Sequence, residues 1–282
     1  MNVVATIAGA RDAISRARAD GASIGFVPTM GALHAGHISL VDRARKEADF
    51  TVMSIFVNPL QFAPTEDLSR YPRPVEQDEK MSSDAGVDLL FKPGVEEMYP
   101  PGRTISVIAG ELGKDWEGSS RPGHFDGVLT VVAKLFNIIR PDIAVFGRKD
   151  LQQAALVSAL VRDLDMPLTI VLAPIVRERD GLALSSRNQY LSEDDRRRAL
   201  VLNRALRAAR ARFAGGVTDV ESLEAAGRGV LDEEPDVKVD YFAVIDETTF
   251  KRSAVASGKS SAIVAARVGT TRLIDNMSLA AE

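Results

Sequence analysis

The chain contains no cysteine, which excludes disulfides, thiolate metal sites and cysteine nucleophiles. It has no apolar run approaching about 18 residues, so no membrane span is expected. The N-terminal stretch MNVVATIAGARDAISRARAD holds no long apolar segment with a small-residue cleavage site, and no secretory leader is expected. Internal repeats and low-complexity tracts are absent. Nor is there an excess of positive charge: the formal net charge of −4 argues against a general binder of nucleic acid or of membrane surfaces. What is present is a chain of 282 residues, 45% hydrophobic and 26% charged. That is enough to bury a full core, and the length suggests roughly two domains. A cytoplasmic enzyme is the expectation.

Histidine is also scarce, yet two of the three, His34 and His37, fall in one run, FVPTMGALHAGH. Apolar residues Ile24, Phe26 and Val27 lead into Pro28 and the loop glycines Gly31 and Gly36; a helical pattern then begins at Ile38, Leu40 and Val41. A strand, a glycine-bearing turn and a helix start, in that order, form a place where backbone amides and a helix's positive end receive phosphate. A histidine pair also serves as a cap or a core feature, and a zincin-type metal site would need spacing four with a glutamate between. Paired imidazoles at the mouth of such a turn favour a phosphate site, where an N–H bonds a phosphoryl oxygen as charge develops. Their charge is left open: the helix N-terminus disfavours imidazolium, and a bound triphosphate favours it.

Around this turn, short apolar runs alternate with helical patterns. Strands are expected at 24–27, 51–57, 88–91, 143–146 and 168–172, with helices at 38–48, 75–85, 128–139 and 151–164. Such alternation predicts an α/β fold with a parallel sheet covered on both faces and ligands beyond the carboxyl ends of its strands. PTMGALHAGH, NPLQF and GRKDLQQ all follow expected strands, so they would share one edge. KPGVEEMYPPGR and EGSSRPGHFDG interrupt the pattern; they read as too polar and irregular to be buried, and as a cover or long connection. Near residue 175 the character changes. A polar connector ends in Ser192, an expected helix cap followed by Glu193, Asp194 and Asp195. A helix at 195–213, another after Thr218, and strands at 237–245, 262–268 and 271–274 predict a small α+β domain with an antiparallel sheet. The expected division is 1–175 and 176–282.

Three further segments carry candidate chemistry. In Gly147-Arg148-Lys149-Asp150, Lys149 offers a point charge to phosphate and Asp150 a helix cap, though a solvated charged turn fits equally well. The hydroxyls and guanidinium of Leu184-Ser185-Ser186-Arg187-Asn188 suit phosphate oxygens; alone, this segment reads as a surface loop with turn-forming serines. Asn58 and Gln61 in NPLQF would orient a small polar substrate without adding charge, or tie down a loop. His124 has no second histidine nearby and reads as structural, with the wall of the site as the alternative. Arg196, Arg197 and Arg198 read as a solvated helix face.

Taken in order, FVPTMGALHAGH, IFVNPLQFAPTEDLSRYPR, SSRPGHFDGV, KLFNIIRPDIAVFGRKDLQQ, DGLALSSRNQYL and RLIDN closely resemble the pantothenate synthetase (pantoate–β-alanine ligase) family of the nucleotidylyltransferase superfamily. The resemblance implies a Rossmann-like N-terminal domain, a smaller C-terminal α+β lid domain and, generally, a homodimer. It makes His34-Ala35-Gly36-His37 the superfamily's histidine motif, and Leu184-Ser185-Ser186-Arg187 the counterpart of the KMSKS loop of class I aminoacyl-tRNA synthetases. ATP contacts would fall on Met30, Gly31, His34, Gly36, His37, Gly147, Lys149, Asp150, Val176, Leu184, Ser185, Ser186 and Arg187. Pantoate would meet Gln61 and Gln153, with Pro28 and Met30 lining the pocket and Asn58 beside it. His37 is the position of the usual proton donor, and His34, Lys149, Ser185, Ser186 and Arg187 complete the implied catalytic set. The implied reaction joins pantoate to β-alanine through a pantoyl-adenylate made from Mg-ATP. The rival is a nucleotidyltransferase that releases an adenylylated product. The direct Mg2+ ligands stay open, with Asp78 a loose candidate. Arg148 stands where the family pattern leads one to expect an acidic or amide residue, a change expected to touch nucleotide affinity and not the reaction.

Overall fold

The structure, a computed structural model, describes residues 1–64, 66 and 68–280; Thr65 and Asp67 of the APTED stretch, with Ala281 and Glu282, lie outside the described residues. The chain divides into two units, Met1–Arg148 with Leu156–Pro174, and Lys149–Ala155 with Ile175–Glu282.

The first unit contains β1 (Asn2–Val4), α1 (Ile7–Ala19), β2 (Ile24–Thr29), α2 (Ala35–Glu47), β3 (Phe50–Ile55), α3 (Val75–Asp84), β4 (Leu89–Phe91), α4 (Val95–Met98), α5 (Glu117–Ser120), α6 (His124–Ile139), β5 (Ile143–Gly147), the later part of α7 (Leu151–Asp163), and β6 (Thr169–Ala173). The strands form one sheet in the order β1-β4-β3-β2-β5-β6, and every pairing is parallel. From β2 the chain winds outward through β3 and β4, then returns to continue through β5 and β6 on the other side. The order therefore reverses between β2 and β5, where doubly wound sheets bind ligands. Pro28 sharpens this point. β2 pairs with β3 through Thr29, but with β5 only at Gly25 and Phe26. Proline has no amide hydrogen for another rung, and the β2–β5 ladder stops before it.

Strand alternation sorts the core into two layers. Phe26, Val52, Leu89, Ala144 and Phe146 pack with α1, α6 and the later part of α7. Val27, Met53, Leu90 and Val145 pack on the other face with Val41 and Ala44 of α2. Each of the valines, leucines, methionine and phenylalanines contributes about 1.5–3 kcal/mol by leaving water.

Two local expectations are corrected. The sheet does not begin at Ile24: β1 adds an edge strand beside β4, and α1 follows it, capped by Thr6, whose hydroxyl accepts from Gly9 N at 3.1 Å. The RPGHFDG stretch is also no loose cover. α6 starts at His124, and His124, Phe125 and Gly127 are all buried. Gly127 is needed there, because a Cβ would lie 2.2 Å from the Leu60 carbonyl oxygen. The glycine is a contact surface, not a helix breaker.

The second unit holds α8 (Glu193–Ala214), α9 (Val220–Leu231), β7 (Val237–Asp246), β8 (Ser260–Val268) and β9 (Thr271–Ser278). The sheet is antiparallel in the order β7-β8-β9. Leu202, Leu206 and Leu223 of the helices pack with Phe242, Val244 and Val264 of the strands. Ser192 caps α8 as expected, its hydroxyl accepting from Asp195 N at 3.1 Å. Arg196 departs from the solvated face predicted for it and pairs with Glu178 at 2.8 Å and Asp180 at 2.6 Å. Among the described residues no helix is long and apolar enough to cross a membrane.

Candidate active site

The histidine turn is closed on itself. Gly31 and Ala32 both adopt left-handed conformations (φ 82° and 50°), which aims the amides of Ala32 and Leu33 at one carboxylate. That carboxylate is Asp78 of α3, 2% exposed, whose oxygens accept the two amides at 2.9 and 2.8 Å. Burial pushes the Asp78 pKa up, against the pull of the two amides and the charge of Lys92. Only glycine fits at position 31, since a Cβ would stand 2.8 Å from Asp78 Oδ2.

His34 then caps α2. Its Nδ1 accepts from Gly36 N at 3.1 Å, while Nδ1 of His37 accepts from His34 N at 3.3 Å. This is a capping box with imidazoles in place of the usual hydroxyl and carboxylate, and the two rings lie 4.1 Å apart. In each ring Nδ1 serves as the acceptor, which leaves Nε2 as the donor position. The turn differs from expectation in one respect. Its amides at Gly31, Ala32, Leu33, His34 and Gly36 are satisfied inside the protein.

A second network fixes Gln61. Asn58 is 1% exposed. Its Nδ2 donates to Gln61 Oε1 and to the Gly127 carbonyl, both at 3.0 Å. Its Oδ1 accepts from Leu60 N at 3.2 Å and from the Tyr99 hydroxyl at 2.9 Å. All four hydrogen-bonding positions of the amide are thus used. Gln61 Nε2 is left beside Met30 Sδ at 3.1 Å. The Gln61 carbonyl is held by His124 Nδ1 at 2.9 Å. Arg121 donates to Nε2 of the same ring at 2.9 Å, so His124 is a neutral Nδ1–H imidazole. Burial, then the charge of Arg121, pushes its pKa down to about 4. Arg121 also grips Glu66 through two nitrogens, at 2.7 and 2.9 Å. Burial alone would raise the Glu66 pKa; the hydrogen bonds and charge of Arg121 bring it below its ordinary value. His124 is structural here, as first expected.

The remaining candidates belong to the second unit, apart from Gly147, which ends β5. Lys149 sits in a 3-10 turn, Arg148–Asp150, that runs directly into α7. Asp150, expected to cap the helix that follows, lies in that 3-10 turn immediately before α7. Lys149 Nζ is 3.8 Å from Asp150 Oδ1, and Gln153 is half-buried in the first turn of α7. Val176 accepts from Leu184 N at 3.0 Å across a narrow hairpin. Ser185 caps the following 3-10 turn, its hydroxyl accepting from Arg187 N at 3.3 Å. Asn188 ties that turn back to Glu178 and to the Ala183 carbonyl, each at 3.0 Å.

A family model described as pantoate-beta-alanine ligase matches residues 2–278. The chain belongs to that family. A pantothenate synthetase of Acidobacterium capsulatum is 57% identical over 91% of this chain and 86% of its own length. Among solved structures, pantothenate synthetase from Thermus thermophilus is 48% identical with a TM-score of 0.95, covering 100% of both chains. Pantoate-beta-alanine ligase from Francisella tularensis, complexed with beta-gamma ATP and beta-alanine, is 34% identical with a TM-score of 0.81, covering 100% of this chain and 99% of its own. The Rossmann-like parallel sheet with a smaller C-terminal α+β domain is the fold the resemblance implied.

Among the described residues no group of three or more histidine, aspartate or glutamate side chains could hold a metal ion. Asp78 does not fit that role, since each oxygen already accepts a loop amide in a buried setting. Sequence reasoning also missed Tyr99 and Arg121 as supports of Gln61. Their only signal was membership of the irregular MYPPG and SSRPGHFDG stretches, which read as loops.

Proposed function

We propose that this chain condenses (R)-pantoate with β-alanine, using ATP and releasing pantothenate, AMP and pyrophosphate through a pantoyl-adenylate. The observation that carries the reading is the reciprocal capping of His34 and His37, two imidazoles whose Nδ1 atoms accept main-chain amides and whose rings lie 4.1 Å apart, in a member of this ligase family. In the first step a pantoate carboxylate oxygen attacks the α-phosphorus of ATP. The O–P bond forms as the bond to the bridging oxygen breaks, and pyrophosphate leaves. His34 and His37 offer hydrogen bonds from Nε2 to phosphoryl oxygens, with His37 at the position the family resemblance marks as proton donor, while Lys149, Ser185, Ser186 and Arg187 add charge and oriented donors. Met30, Gly31, Gly36, Gly147, Asp150, Val176 and Leu184 complete the ATP contacts.

Gln61 and Gln153 orient pantoate, with Pro28 and Met30 against its apolar part. Asn58, whose amide is fully engaged, acts on pantoate by holding Gln61. In the second step the β-alanine nitrogen attacks the acyl carbon. The ammonium first gives a proton to solvent; the C–N bond then forms, the acyl–oxygen bond to AMP breaks, and the nitrogen passes a second proton to solvent. No covalent enzyme nucleophile is needed. Residues 1–175 bind nucleotide and pantoate, and residues 176–282 serve as the lid that keeps water from the mixed anhydride. Mg2+ would enter with ATP, and the phosphates with water would suffice to hold it.

The test is a product assay. With ATP and pantoate alone, pyrophosphate should appear once per active site; AMP and sustained turnover should require β-alanine. Continuous release of a free adenylylated product without amine would establish the nucleotidyltransferase instead. The resemblance also supports a cytoplasmic homodimer. Sedimentation at the mass of one chain would remove the dimer, and recovery in a membrane or secreted fraction would remove the location.

A further inference from the structure

RLIDN, residues 272–276, helps carry the family resemblance, yet the reaction above gives none of its residues a role. In β9 it sets Asp275 and Asn276 side by side, 5% and 3% exposed, with side chains on opposite faces by strand alternation. Asp275 receives Arg177 in a two-point pair, Nη1 to Oδ2 at 2.7 Å and Nη2 to Oδ1 at 3.0 Å. Arg177 also donates to the carbonyls of Asn276 at 3.1 Å and Gly181 at 3.2 Å. Arg177 belongs to the hairpin whose far strand delivers Leu184 and Ser185. Asn276 reaches elsewhere: its Nδ2 donates to the Lys149 carbonyl at 3.0 Å.

Both grips start from a rigid support. Asp275 and Asn276 are paired in register with Val264 and Ile263 of β8, and a two-point guanidinium–carboxylate pair has a fixed geometry. A lysine ammonium rides on a flexible four-carbon stem, so where it can reach depends on where its backbone is held. We propose that Asn276 is a positioning residue for Lys149, fixing the backbone from which the ammonium meets ATP. The neighbouring Asp275–Arg177 pair does the same for the 184–187 segment. One dipeptide of β9 thus sets two nucleotide-contact segments of this unit. The inference rests on the assignment of Lys149 to ATP.

The experiment measures single-turnover pyrophosphate release from ATP and pantoate in Asn276→Ala, Asn276→Asp, Lys149→Ala and the Asn276→Ala/Lys149→Ala double variant, with thermal unfolding of each. Lys149→Ala should slow release at least about a hundredfold, on the scale of a lost oxyanion-type donor. Both Asn276 variants should slow it about tenfold, with melting temperatures near the parent's. In the Lys149→Ala background, Asn276→Ala should change the rate by less than about twofold, because the two residues act through one group. A full loss persisting in that background overturns the positioning role. So does a parental rate in both Asn276 variants beside an impaired Lys149→Ala, and in either case the role of Lys149 stands. A parental rate in Lys149→Ala itself removes that role and the inference with it. Asn276→Asp keeps the side chain's size without the donor and carries the test if the alanine variant does not fold.

Discussion

The histidine turn and the Lys149–Ser185 framework are held in opposite ways. In the turn most partners are neighbours: Gly31 to Thr29, Gly36 to His34, and His34 to His37. Asp78 is the distant contributor, and it acts on main-chain amides. In the second unit the decisive bonds span 98 residues from Arg177 to Asp275 and 127 from Lys149 to Asn276. The difference separates two kinds of failure. On the proposed assignments, damage in the turn would remove a reacting group, whereas damage in β9 would leave every reacting group present and misplace it.

The sharpest way to break this comparison is His37→Ala. Pantoyl-adenylate formation should fall by more than about a thousandfold, or about 4 kcal/mol, with the fold intact by circular dichroism. Near-normal pyrophosphate release would sink the assignment of the turn as the reacting half.

His124 gives the next effect, on stability. Its folded pKa of about 4 lies below the ordinary 6.5. Above pH 6.5 the ring is neutral folded and unfolded, and the stability is fully present. As pH falls from 6.5 toward 4, the unfolded chain takes a proton that the folded chain refuses. Stability is then lost by on the order of 3 kcal/mol. Melting temperature should therefore drop more steeply between pH 7 and 4.5 in the parent than in His124→Gln; equal slopes would mean that His124 is not held neutral by burial and the charge of Arg121.

The smallest effect is expected from Asp78→Asn, which sets an N–H against one of two loop amides. It should cost about 1–3 kcal/mol of stability and slow adenylation several-fold. A parental rate, measured where both proteins are folded, would show that the histidine pair holds the turn unaided and would make the contrast with β9 more complete.

The sequence makes the sheet from Ile24 to Ala173 legible, because each strand is a nearly continuous apolar run followed by a helical period. β1 and α1 escape such a reading. NVV is three residues long and largely exposed, and the buried face of α1 is mostly alanine between arginines. Gly127 misleads for a different reason: glycine in a helix reads as a breaker unless the backbone it touches is known. The site follows the same division. His34 and His37 stand out by scarcity and local spacing. Asp78, Tyr99 and Asn276 work through main-chain or side-chain amides that no local pattern announces.

The bond from Asn276 to the Lys149 carbonyl also has a consequence for biosynthesis. Lys149 leaves the ribosome 127 residues ahead of its partner. At translation speeds of about 5–20 residues per second, that delay is roughly 6–25 s. During that interval the histidine turn can already form, while the lysine backbone still lacks its amide tether. On the proposed role of Lys149, a nascent chain would complete the capping of its two imidazoles well before it could adenylate.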